Sequence, residues 1–189
     1  MPSISLTNPE NITNLTLGTS SEAKLGGNID LSKFTRLKQF RARGLDLNSV
    51  VGFENLSELA VLNVQENILS DDPLPTLVNT SISRMNINDA EIGPSTVADG
   101  WTIPSTMQQF RADSTNLRGA KLDILTAFYD VFKDVDPLVD YDGFRVLSVA
   151  NSGGRDYDDN TSLTGDYTGT TVLQAKAKLA AIGFTLYGF

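Results

Sequence analysis

The sequence predicts an α/β solenoid, with a parallel concave sheet on one side and mostly loop on the outer side. Helices are expected only in the last two windings. Three observations carry this reading. The stretch Leu56-Ser-Glu-Leu-Ala-Val-Leu-Asn-Val-Gln-Glu-Asn-Ile-Leu69 reads LxxLxxLxLxxNxL. Its short alternating part, Leu62-Asn-Val64, fits a strand with two side chains turned into a core. The same apolar pair then recurs along the chain, and the segments between pairs change character near the C-terminus.

The pattern is that of one leucine-rich repeat, and the recurrence makes it an irregular array. The pairs are Leu15/Leu17, Phe40/Ala42, Leu62/Val64, Met85/Ile87, Phe110/Ala112, Leu147/Val149 and Phe184/Leu186, and every member is apolar. Three residues before each pair stand Ile12, Leu37, Leu59, Ile82, Met107, Phe144 and Ala181. Seven residues after the first strand residue come Leu47, Leu69, Ile92 and Leu117. First strand residues follow one another at 25, 22, 23, 25, 37 and 37 residues. The short steps fall within the usual range of about 20–29. The long ones leave room for a helix.

Taken in order, residues 1–11 are polar with two prolines and read as an N-terminal arm. Residues 12–189 form one domain. Its linkers up to residue 117 carry Gly, Pro, Asp and Ser, as in Ser70-Asp-Asp-Pro73, and predict turns and extended backbone. Over 118–135, Ala120, Leu122, Ile124, Leu125, Ala127, Phe128, Val131 and Phe132 repeat at helical spacing. Asp136-Pro137 ends that helix. Residues 171–182 predict a second one, with Thr170 or Thr171 as its cap and Gly183 in left-handed conformation at its end. Asn67 sits where the chain must bend, and its amide can satisfy backbone groups there. The equivalent positions are Ser20, Leu45, Ala90, Thr115 and Ser152. Leu45 and Ala90 cannot bond the backbone through their side chains, so water or a shifted path is expected to serve those turns.

Composition narrows the function. The chain has 189 residues, is 40% hydrophobic, carries a net charge of −8 and contains neither cysteine nor histidine. Disulfides, Ser/His or Cys/His catalysis and histidine metal sites are thereby excluded. An acidic balance disfavours nucleic acid as a partner. No run is long and apolar enough to cross a membrane, and the start lacks the features of a signal peptide, so synthesis in the cytoplasm is expected.

Three segments resemble leucine-rich repeat proteins of tailed bacteriophages. Leu25-Gly-Gly-Asn-Ile-Asp-Leu-Ser-Lys-Phe-Thr-Arg-Leu-Lys-Gln-Phe40 is similar to their LTGxIPxLSxxTxLxxF windings. Ile103-Pro-Ser-Thr-Met-Gln-Gln-Phe-Arg-Ala-Asp-Ser-Thr-Asn-Leu117 is similar to LPxTLxxFxAxxNxL. Leu147-Ser-Val-Ala-Asn-Ser-Gly-Gly154 with Leu173 to Leu186 is similar to their closing segment, with Phe184 where tryptophan is usual. The resemblance implies a virion surface component: a tail fibre, a tail-associated protein or a capsid decoration protein, with other virion proteins as partners. The alternative is a bacterial intracellular leucine-rich repeat module that binds a protein.

Residues beside the buried pairs point away from the core. Between the pair members stand Thr16, Arg41, Asn63, Asn86, Arg111, Ser148 and Thr185. Just after come Gly18, Arg43, Gln65, Asn88, Asp113, Ala150 and Tyr187; just before come Asn14, Gln39, Val61, Arg84, Gln109, Val146 and Gly183. Four of the eight arginines fall here, no lysine does, and Asp113 is the only acid. Arg41, Arg43, Asn63, Gln65, Arg84, Asn86, Asn88 and Arg111 are therefore the candidate binding residues. Guanidinium forks and amides suit carboxylates and sugar hydroxyls, so a host-surface glycan or an acidic protein patch is the expected ligand. Tyr187 and Phe189, beside an uncapped last strand, are expected to dock on a virion protein or a second copy of the chain. Exposed Tyr157, Tyr167 and Tyr187 are candidates for stacking on sugars. Asp156-x-Asp158-x-Asn160 begins like a calcium loop, but Thr161 and Tyr167 stand where glycine and glutamate are needed, which rejects an EF-hand. A looser calcium site in the acidic loops (Asp134, Asp136, Asp140, Asp142 and Asp156 to Asn160) stays open. No carboxylate pair is placed across one cleft, so no catalytic residue, cofactor or metal site is assigned.

Overall fold

The computed structural model describes residues 7–18, 24–69, 77, 79–92, 102–117, 121–136, 145–150, 152, 158–163, 167 and 169–189. Seven strands form one parallel sheet: β1 (Asn14–Leu17), β3 (Gln39–Ala42), β5 (Val61–Asn63), β7 (Arg84–Asn86), β9 (Gln109–Arg111), β10 (Arg145–Ser148) and β11 (Phe184–Tyr187). Their order in the sheet is their order in the chain. Between them lie β2 (Asn28–Asp30) paired with β4 (Ser49–Val51), and β6 (Ile68–Leu69) paired with β8 (Glu91–Ile92), again parallel. With two α-helices among the described residues, the arrangement is α/β.

The register follows the apolar period through six strands. Leu15 lies beside Phe40, Phe40 beside Leu62, Leu62 beside Met85, Met85 beside Phe110, and Phe110 beside Leu147. Phe40, Leu62, Met85, Phe110 and Leu147 are buried, as are Ala42, Val64, Ile87, Ala112 and Val149 in the next row. Burying each larger side chain contributes about 1.5–3 kcal/mol. Leu37, Leu59, Ile82 and Met107 form another buried row, with Ile12 partly buried at its end. Leu47, Leu69 and Leu117 are buried in the same core. Phe144 and Trp101 lie outside the described residues.

The last strand is offset from the expected register. Leu147 pairs with Leu186, and Phe184 stands beside Arg145. A slip of two residues keeps every side chain on its face, so the apolar pattern alone does not resist it. Packing selects it. Phe184 meets Phe128 edge-on at 5.6 Å and Phe132 at 5.1 Å, while the Arg145 guanidinium lies 5.5 Å from the Phe184 ring and 5.7 Å from Phe132. The row three residues back changes accordingly: Ala181 is exposed and Ile182 is buried.

Four strands, β3, β5, β7 and β9, leave the sheet through a left-handed residue. Gly44, Glu66, Asp89 and Ser114, each four places after the first buried residue, have φ between 55° and 63°. Asn67, next to Glu66, is buried and fully employed. It donates to Ala42 O (2.6 Å), Val64 O (2.9 Å) and Gln65 O (3.1 Å). Its Oδ1 accepts the N–H groups of Leu45 (3.0 Å) and Leu47 (3.1 Å). The turn at Leu45 is thus served by Asn67, not by water or a displaced chain. Thr115 and Ser152 share a smaller version of the device: Ser152 Oγ accepts Thr115 N–H and donates to Ala112 O at 2.7 Å. At Ala90 the N–H bonds back to Ile87 O at 3.2 Å.

Helix α1 (Lys121–Phe132) turns Ile124, Leu125, Phe128 and Phe132 inward, with Phe128 5.9 Å from Phe110. Helix α2 (Val172–Ala181) opens with a capping box between Thr171 and Gln174, and Gly183 at φ 95° precedes β11. Both helices pack on the core face of the sheet, leaving the opposite face open. Phe189 does not project from the end of the molecule. It is buried, because the chain after β11 folds back toward α2, where Lys176 Nζ bonds Phe189 O at 3.3 Å.

Candidate binding face

The face opposite the core gathers the predicted side chains into rows. Thr16, Arg41, Asn63, Asn86, Arg111, Ser148 and Tyr187 stand level across the seven strands. Alongside run Asn14, Gln39, Val61, Arg84, Gln109, Val146 and Thr185. Neighbours in a row are about 4.8 Å apart. Arg43, Gln65, Asn88 and Asp113 extend the face just past the strand ends. The two-residue offset of β11 moves Tyr187 into the central row, beside Ser148, where Thr185 was expected.

The arginines divide into two kinds. Arg43 is neutralised: its Nη2 and Nε reach Glu66 Oε1 at 2.6 and 3.0 Å. That hydrogen bond holds the Glu66 carboxyl below its usual range and raises Arg43. Glu66 sits in a left-handed bend, outside strand alternation, so face-counting along the strands misses it. Arg41 Nη1 donates to Gln39 Oε1 at 2.6 Å. Among the described residues, no carboxylate forms an ion pair with Arg41, Arg84 or Arg111.

The amides act largely as scaffold. Asn63 Oδ1 accepts Gln65 N–H (3.3 Å), Asn86 Oδ1 accepts Asn88 N–H (3.0 Å), and Asn88 Oδ1 accepts Asp113 N–H (3.0 Å). Asn86 Nδ2 donates to Gln65 Oε1 at 2.8 Å. Asp113 Oδ1 continues the line, accepting Ala150 N–H (2.8 Å) and the Ser148 hydroxyl. These bonds hold strand ends at fixed spacing and so hold the arginines in a fixed array.

At the β11 end the face dips. The alternation turns Val146 and Ser148 outward; they are on that face but buried, Ser148 as a short side chain between Arg111 and Tyr187. Arg111, Asp113, Val146, Ser148, Ala150 and Tyr187 line a groove of about 280 Å³. Tyr187 keeps half of its surface exposed.

Of the other two sugar-stacking candidates, Tyr167 is occupied. Tyr167 donates its hydroxyl to Asp130, accepts from Lys133 Nζ at 2.6 Å, and packs edge-on against Tyr129 at 5.5 Å. Hydrogen bonds from Lys133 and then Tyr167 hold Asp130 below the usual aspartate range, and Asp130 raises Lys133. A lysine nucleophile needs the opposite shift, so this cluster reads as a clasp on α1. In the acidic loop, Asp158 Oδ1 accepts Asn160 N–H at 2.8 Å and Asp159 pairs with Lys176 at 2.9 Å. Asp140, Asp142, Asp156 and Tyr157 lie outside the described residues, among which no group of three or more potential ligands gathers for a metal. No helix there is long and apolar enough to cross a membrane. Compared with known protein families, curated proteins and solved structures, the chain matches none.

Proposed function

We propose that the chain is a non-enzymatic binding protein, built as a leucine-rich repeat solenoid, whose open sheet face engages its ligand. The support is the array of Arg41, Arg84 and Arg111 on one face, without described carboxylate partners, in a chain of net charge −8. Guanidinium groups without a carboxylate of their own keep their N–H donors available for an outside anion or a hydroxyl-rich surface. The ligand is accordingly a host-surface glycan or an acidic protein patch. The likeness of residues 25–40, 103–117, and 147–154 with 173–186 to phage leucine-rich repeat proteins supports a place on the virion surface, on capsid or tail, beside other virion proteins.

Two measurements test this. Mass spectrometry of purified particles finds the chain if it is a virion component. Its absence there, with recovery on a cellular protein, favours the intracellular interaction module instead. On a glycan array, Arg41→Ala/Arg111→Ala is expected to lose the binding of the parent chain; unchanged binding removes the face from the account.

A further inference from the structure

The groove at the β11 end differs in chemistry from the arginine rows. Arg111 on β9, Ser148 on β10 and Tyr187 on β11 stand level, so Arg111 and Tyr187 are two strand spacings apart, about 9–10 Å at the backbone. Val146 and Ser148 are buried between them and form a floor. The volume, about 280 Å³, lies just under the roughly 300–1,000 Å³ typical of clefts for drug-sized molecules. It has room for one ring and little more.

The lining supplies complementary groups. The half-exposed Tyr187 offers a ring face and a hydroxyl. Arg111 offers N–H donors with no described carboxylate on them. Asp113 spends Oδ1 on Ser148 and Ala150, and among the described residues no donor takes Oδ2. Val146 and Ala150 add apolar surface. A pyranose matches this set, because one face is C–H and the rim is hydroxyl. The C–H face lies on the tyrosine, while rim hydroxyls donate to Asp113 and accept from Arg111. One cation and one anion flank the hollow, so neither an acidic nor an amino sugar gains over a neutral one. A plain aromatic ring would bury the Asp113 carboxylate without giving it a donor, which is costly.

We infer that this groove is a subsite for a single neutral pyranose ring, which makes the ligand of the sheet face a carbohydrate rather than a protein. The inference rests on that face being the binding surface.

The test is amide chemical-shift mapping of the isotopically labelled chain during titration with methyl glucopyranoside, galactopyranoside and mannopyranoside. Sodium glucuronate and N-acetyltyrosinamide are titrated in parallel. At least one neutral pyranoside is expected to shift the amides of Arg111, Ser148, Ala150 and Tyr187. Tyr187→Ala is expected to weaken that binding about tenfold or more, an effect the size of one lost stacking contact, and Tyr187→Phe to retain most of it. Failure of all three pyranosides to shift these amides overturns the inference. So does binding that survives Tyr187→Ala, glucuronate binding tighter than its neutral counterpart, or response to the tyrosine amide alone. Retention of a polyglutamate peptide, lost in Arg41→Ala/Arg84→Ala, reads the arginine rows separately. If that retention persists while pyranosides fail, the groove falls and the binding face stands.

Discussion

Asn67 accepts the backbone N–H of Leu45 at 3.0 Å, across 22 residues of chain. It thereby supplies the acceptor that Leu45, at the equivalent place one strand earlier, lacks. Asn67→Ala removes this bond together with that to Leu47 and the three that Asn67 donates. A buried backbone group without a partner costs about 1–3 kcal/mol, so the substitution is expected to lower stability by roughly 3 kcal/mol. Urea unfolding measures it. A loss below about 1 kcal/mol means the turn finds other partners.

Phe128 ties α1 to the sheet at β9 and β11. Its ring lies 5.9 Å from Phe110, 6.3 Å from Phe132 and 5.6 Å from Phe184, and it is fully buried. Phe128→Ala is expected to cost about 3–5 kcal/mol, and Phe128→Leu clearly less. Equal midpoints for the two variants in chemical unfolding would contradict this, showing that the volume leucine keeps contributes nothing beyond the lost ring contacts.

The clasp of Asp130, Lys133 and Tyr167 makes stability fall at both ends of the pH scale. Asp130 is held low, first by Lys133 and then by Tyr167. Its contribution is therefore present above the ordinary aspartate range and lost as pH drops through its lower folded value, below about pH 4. Tyr167 is raised, chiefly by its bond to Asp130. That contribution is present below the ordinary tyrosine value, about 10, and lost as pH climbs through the higher folded value. Tyr167→Phe is expected to shrink the alkaline loss and leave most of the acidic one. Thermal melts across pH read both, and an unchanged alkaline limb in the variant would sink the assignment.

Gly188 ties the last strand to β10. Its φ is 79°, and a Cβ there would stand 2.7 Å from backbone atoms of Val149 and Ala150. Gly188→Ala adds the left-handed penalty of about 1–2 kcal/mol to a clash that side-chain movement cannot relieve. It is expected to loosen β11 and speed hydrogen exchange at Val149 N–H, which bonds Tyr187 O at 3.0 Å. Exchange at Leu45, held by Asn67, stays slow. Unchanged protection at Val149 would contradict this packing.

Six strands are legible because each contributes the same alternating apolar pair, five of them at steps of 22 to 25 residues and the sixth after 37, and parallel neighbours bury the same face. The seventh was read two residues out of register. Parity survives an even slip, and only the ring contacts of Phe184 with Phe128, Phe132 and Arg145 decide it. The arginines of the open face were legible by the same parity. The neutralisation of Arg43 was not, because Glu66 leaves the strand through a left-handed bend. Nor was the groove, which depends on relative side-chain heights across β9, β10 and β11. Position in the chain alone places Phe189 at an exposed end, whereas its burial depends on how the residues after β11 return toward α2.

Each interior strand of the main sheet lies between the sheet strands that precede and follow it in the chain, and β1 and β11 are the edges. Under tension applied at the two extremities, there is consequently no interior strand on which all the others hang. Rupture proceeds from an edge inward, releasing one strand and its connection at a time. A force–extension trace is then a train of modest, similarly sized events, with larger releases where α1 and α2 peel away, in place of a single high peak.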